Sequence, residues 1–211
     1  DSIITYNRIL KIFSIFIFAS VLIITALSYL LIEFLTFSSN ANFIESESGQ
    51  IKFYLNSSLI VFALSMALAL EGILSITEVG VTFAKKSYLK LYSYFVFLII
   101  ASIAIYLLIK PFGIIGVAWG ALLGYLFKSI IATWLSHKNY PINFNYYDIV
   151  KIGIITIIIG LISQLVSVKI NLQLGLYIAG IGGIIVIIFG WIMIMNKDER
   201  NKIILFFKKN N

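Results

Sequence analysis

Six long stretches of this chain carry almost no charge, and each is long enough to cross a bilayer as a helix. No charged residue lies between Lys11 and Glu33, Lys52 and Glu71, Lys90 and Lys110, Lys110 and Lys128, Lys151 and Lys169, or Lys169 and Lys197. A helix needs about 20 residues to span the hydrocarbon core. The spans fall at about 9–37, 53–84, 90–110, 112–136, 149–168 and 172–195. Ile, Val and Phe favour strands in water, but in lipid a helix satisfies its own backbone polar groups. A membrane barrel would alternate apolar and polar residues in segments of about ten, and no such alternation is present. Composition agrees: 61% of the 211 residues are hydrophobic and 12% charged, against roughly 45–50% and about 25% in soluble domains. The expected fold class is an all-α integral membrane protein.

The first span follows Arg8 and Lys11, as a secretory signal would, but it is too long for one and no small-residue cleavage site follows. It reads as a retained helix. One set of loops and ends holds Arg8, Lys11, Lys85, Lys86, Lys90, Lys138, Lys151, Lys197, Arg200, Lys202, Lys208 and Lys209, and the other holds Lys52, Lys110 and Lys169. Twelve against three places both termini in the cytoplasm. The net charge of +7 therefore reads as a positive-inside bias rather than a nucleic-acid surface. No nucleic-acid partner is expected. Residues 1–196 form the six-helix unit. Residues 197–211 form a basic cytoplasmic tail whose Ile203, Ile204, Leu205, Phe206 and Phe207 can lie on membrane lipids.

Charges inside spans are costly and mark functional positions. Glu71 and Glu78 lie in the second span and Lys128 in the fourth. Glu71, Ser75, Glu78, Thr82 and Lys85 recur at helical spacings of three and four, which makes one polar stripe facing a cavity or a polar partner. At 1.5 Å per residue, Glu71 lies roughly 21 Å and Glu78 roughly 10 Å from the level of Lys85. Lys128 lies about 15 Å from the level of Lys138, between the two carboxylates. An ion pair fits this geometry. The plainer reading has Lys128 snorkelling to the cytoplasmic interface and Glu78 already among headgroups. Glu71 is too deep for that escape. Glu33 reads as an interface residue.

Thr156, Gly160, Ser163, Gln164 and Ser167 form a mild stripe explained by helix–helix hydrogen bonding. Gly116, Gly120 and Gly124 strip one face of the fourth span for close helix approach. Gly180, Gly182 and Gly183 lie in an apolar run without a flanking strand or acidic partner, so a dinucleotide site is rejected. The chain has no Cys and a single His, His137. It shows no phosphate-binding loop, zinc-ligand spacing or nucleophile elbow. Neither an enzyme nor a cofactor is expected.

Three segments occur in order, separated by apolar spans. They are Glu78-Val79-Gly80-Val81-Thr82-Phe83-Ala84-Lys85-Lys86-Ser87, then Lys110-Pro111-Phe112-Gly113-Ile114-Ile115-Gly116-Val117-Ala118-Trp119-Gly120, then Ser136-His137-Lys138-Asn139-Tyr140-Pro141-Ile142. This order resembles the C-terminal half of the polysaccharide biosynthesis (O-antigen and capsule) flippases of the multidrug/oligosaccharidyl-lipid/polysaccharide exporter superfamily. The family shows a Lys pair after the second helix of that half, a Pro-x-Gly-x-x-Gly-x-Ala outer turn and a Lys-Tyr-x-Ile segment. The resemblance implies one lobe of a two-lobe transporter working by alternating access in the bacterial inner membrane. Its substrate would be an oligosaccharide on a polyprenyl pyrophosphate. The chain begins at Asp1 and holds one lobe, so an N-terminal lobe or a second copy is expected to complete the path.

The first two helices of each lobe line the cavity in that family, which matches the polar stripe on the second span. Lys128, with Lys85 and Lys86 at the cytoplasmic mouth, would bind the anion. Glu71 and Glu78 could instead carry a coupling H⁺ or Na⁺. Alternatives are a multidrug exporter of the same superfamily and a membrane-embedded glycan polymerase or ligase. The latter would need Arg or His in a large outer loop, and none is present.

Overall fold

The computed structural model describes residues 2–39, 58–140, 146–170 and 172–194. Residues 40–57, the Pro141-Ile142 part of the third motif and the expected tail at 197–211 lie outside the described residues, as does the side chain of Glu33. Every described element is helical. The elements are α1 (Ser2–Ser39), α2 (Ser58–Thr77), the short α3 (Val79–Phe83), α4 (Tyr88–Phe112), α5 (Ile114–Asn139), α6 (Tyr146–Lys169) and α7 (Leu172–Phe189). A π-helical turn, Gly190–Ile194, follows α7. Six of these segments are long and apolar enough to cross a membrane: Tyr6–Ser28, Ile60–Phe83, Tyr88–Phe112, Ile114–Asn139, Tyr146–Ser167 and Gln173–Ile192. The protein is thus an all-α, multi-pass membrane protein, as its apolar runs require.

The second span departs from the expected continuous helix over 53–84. It stops at Thr77, turns at Glu78 and resumes as α3. The interruption is held from outside: the Ser136 hydroxyl of α5 donates to the Thr77 carbonyl at 2.7 Å, supplying a partner at the helix end. Gly80 lies so close to Ser136 and the Tyr140 carbonyl that a Cβ there would meet Ser136 Oγ at 2.5 Å.

The helices pack in the order α4, α5, α2, α1, with α1 then meeting α6 and α7. The core sits around α1. Phe18 and Leu22 of α1 meet Phe62 and Met66 of α2, Ile152 of α6 and Val186 of α7, all at most 2% exposed. Ser14 and Thr25 sit buried in α1 without cost, because each hydroxyl donates to the carbonyl four residues back at 2.7 Å. Side-chain packing of this kind, rather than water exclusion, holds helices together in lipid.

The α4–α5 hairpin turns at Gly113, whose φ of 59° suits a residue without a Cβ. Beyond the turn, the small face of α5 meets α4 as its spacing predicts: Gly116 abuts Leu108, Gly120 abuts Ile105 and Gly124 abuts Ala101 and Phe97. The outer side of α4 is exposed, with Leu91, Phe95, Leu98, Ile99, Ile103 and Leu107 all more than half exposed. That surface suits lipid. Tyr88 and Tyr92 mark one end of it and Tyr106 with Lys110 the other, where amphipathic rings favour the interfaces.

The stripe on α6 does bridge helices: Ser163 Oγ donates to the Gly175 carbonyl of α7 at 2.6 Å. Thr156 differs, being fully buried with an Oγ1 that meets no hydrogen-bond partner among the described residues. At the end bearing Arg8 and Lys11, Lys11 Nζ pairs with Asp148 Oδ2 at 3.0 Å and ties α1 to α6.

Candidate functional site

The site forms where α2, α4 and α5 meet. α2 and α5 run parallel, so residues about 57 positions apart are level: Thr77 meets Thr133, and Glu71 meets Lys128. α4 runs antiparallel to both, and the turn at Gly113 that joins it to α5 brings Tyr94 to the same level. Three side chains from three helices therefore converge inside candidate membrane spans.

Lys128 Nζ donates to both oxygens of Glu71, at 2.7 Å to Oε1 and 2.6 Å to Oε2. The Tyr94 hydroxyl donates to the same Oε1 at 3.0 Å. The Lys128 ammonium also lies 3.5 Å from the centroid of the Tyr94 ring and 5.6 Å from that of Tyr125. Tyr125 is braced by Phe97, 4.5 Å away between centroids. An ammonium has three donors. Two are used on the carboxylate, and the π face of Tyr94 covers a further side by a cation–π contact. The ion is thus surrounded, which a charge taken out of water demands.

Exposure within the cluster is unequal. The Lys128 side chain is 1% exposed and that of Glu71 33%. The carboxylate is the open member and the ammonium lies behind it. Ser75, one helical turn from Glu71 on the same face, is also exposed.

The remaining predicted residues sit elsewhere. Ser75 Oγ donates to the Gly72 carbonyl of its own helix at 2.6 Å and does not join the cluster. Glu78 forms its ion pair with Lys90 of α4 at 3.6 Å, not with Lys128. Its Oε1 is buried without a hydrogen-bond partner among the described residues. The expected position of Lys128, between the two carboxylates, is therefore corrected: it is level with Glu71. The break at Glu78 means that no single unbroken helix sets the distance from Glu71 to Lys85. The snorkelling of Lys128 is likewise overturned by its burial and its two bonds to Glu71.

Lys85 is exposed in the turn after α3, with a positive φ of 55°. Lys86 beside it donates to Asn139 Oδ1 at 3.0 Å, joining that turn to the end of α5. Both lie apart from the cluster. Tyr94 is the member that sequence reading missed. It carries no charge and is one of three tyrosines within seven residues of α4. A signal existed: the hairpin register set by Gly113, with Gly124 against Phe97, places Lys128 level with Tyr94.

Among the described residues no group of His, Cys, Asp and Glu could hold a metal ion by their number and proximity. Comparison with family models, curated proteins and solved structures returned no match.

Proposed function

We propose that this chain is one lobe of a flippase. It would carry a polyprenyl-pyrophosphate-linked oligosaccharide across a bacterial inner membrane by alternating access, with both termini in the cytoplasm. A missing N-terminal lobe or a second copy would complete the path. The three motifs quoted above support the family, and the Lys and Arg bias supports the orientation. The observation that carries the transport reading is the Glu71–Lys128–Tyr94 cluster. Three helices hold a buried ammonium against a Glu71 side chain that is one-third exposed, within their membrane spans. Ionisable residues so placed mark substrate and ion paths. A buried ion pair is weak evidence for stability, since apolar residues of similar size often serve as well.

The unequal exposure favours a second reading within the same superfamily. An open carboxylate suits a cationic amphiphile, as a multidrug exporter would carry. One assay separates the two. The whole gene product is reconstituted in vesicles containing a fluorescent polyprenyl-pyrophosphoryl oligosaccharide, and dithionite added outside quenches only the outer leaflet. The flippase reading predicts quenching beyond one leaflet's share, at a rate that rises with protein content. A rate equal to that of empty vesicles, together with uptake of a cationic dye, would establish the exporter instead.

A further inference from the structure

An anionic headgroup faces an obstacle at this site, because the only buried cation of the cluster is already held through both carboxylate oxygens. We infer that a phosphate-type anion and the Glu71 carboxylate exchange places on Lys128, and that the displaced carboxylate takes up one proton as the anion binds. The inference takes from the transport reading only the class of ligand.

The exchange conserves bonds and charge. Two N–H···O bonds from Lys128 Nζ to Glu71 are given up, and equivalent bonds form to phosphoryl oxygens. The carboxylate, now without its counter-ion and beside a bound anion within a membrane span, is repelled by that anion, and taking up a proton removes the repulsion. One proton from the aqueous phase binds to it, and the proton leaves again when the anion departs. The geometry favours this order. Glu71 is the exposed partner and can swing out, whereas Lys128 is enclosed by Tyr94 and Tyr125 and stays. The Tyr94 hydroxyl serves both states, because it donates to a carboxylate oxygen and equally to the carbonyl oxygen of the neutral acid.

Among the described residues no other cation pairs with Glu71. α5 brings Lys128 with Tyr125 behind it. α4 brings Tyr94, while its Lys90 is taken by Glu78. Among the described residues the next acid along the chain is Glu78, seven residues on and beyond the helix break. α1 brings apolar Phe13 and Ile17 to the neighbouring Gly72, and α6 meets α2 at Phe62 through Gly160.

Infrared difference spectroscopy of the whole protein in phosphatidylcholine vesicles tests this. Inorganic pyrophosphate is one probe and polyprenyl pyrophosphate in the same vesicles is the other. Binding to the wild type should raise the carbonyl band of a protonated carboxylic acid. The band should vanish in Glu71→Gln and shift in Glu71→Asp, a second variant that keeps the charge should the first fail to fold. Relative to Glu71→Gln, wild-type affinity should fall about tenfold per unit rise in pH, the linkage of one proton; the comparison cancels the titration of pyrophosphate itself. A band with both probes means a free anion can enter, and a band with the lipid alone assigns the site to a lipid headgroup; either supports the exchange. Binding without the band, a band that persists unshifted in both variants, or no binding of either probe overturns it. A wild type that gives the band yet flips no lipid keeps the exchange and removes the flippase reading.

Discussion

Neutralising Glu71 as Gln leaves the Lys128 ammonium buried with no carboxylate against it, only a neutral amide oxygen and aromatic rings. A buried charge stripped of its partner costs about 3–5 kcal/mol, whereas replacing both partners by apolar residues of similar volume is often neutral. Glu71→Gln should therefore unfold at markedly lower temperature in detergent. Glu71→Leu/Lys128→Met should return to within about 1 kcal/mol of the wild type. Equal stability of all three proteins would mean that the pair is not held as described. Glu71 and Lys128 were legible because a charge inside an apolar run has few tolerable places to go. Ser75 sits on the exposed face beside Glu71 as its spacing implies, and its hydroxyl bonds a carbonyl of its own helix, which a helical wheel does not reveal. Tyr94 was under-read, because its role depends on the register of a hairpin and not on its chemistry alone.

At the scale of elements, the glycine face of α5 tests the packing. A Cβ on Gly120 would lie 2.8 Å from the Ile105 backbone nitrogen, and backbone cannot step aside as a flexible side chain can. On Gly180 of α7 it would meet only the Ala26 Cβ, at 3.4 Å. Gly120→Leu should therefore separate α4 from α5 and cost more than the roughly 1–3 kcal/mol typical of overpacking. Gly180→Ala should stay near wild type. Thermal unfolding of the two variants side by side checks the contrast, and equal losses would contradict the hairpin register. The four-residue glycine spacing made this contact legible, and its partner follows from the turn at Gly113. The break at Glu78 was not legible. No Pro or Gly stands at that position, and the hydroxyl that holds the end of α2 comes from Ser136, 59 residues away.

At the scale of the molecule, apolar run lengths carried almost all of the architecture. Six spans were expected and six are present among the described residues. Their order in space came from side-chain size rather than hydropathy, which in lipid draws no helix toward another. The central place of α1, meeting α2, α6 and α7, is one consequence. Another is that the polar cluster lies between the core around α1 and the lipid-facing side of α4. Closing a transport path around Glu71 would need a further surface opposite α2 and α4, which is the role proposed for a second lobe or copy.

The central claim is that the Glu71–Lys128–Tyr94 cluster serves translocation and not merely packing. The most direct measurement is lipid flipping by Glu71→Leu/Lys128→Met in the dithionite assay, on protein shown to be as stable as the wild type. The account predicts a folded protein whose flipping rate falls to that of empty vesicles. Flipping at the wild-type rate would contradict it and leave the cluster a structural pair.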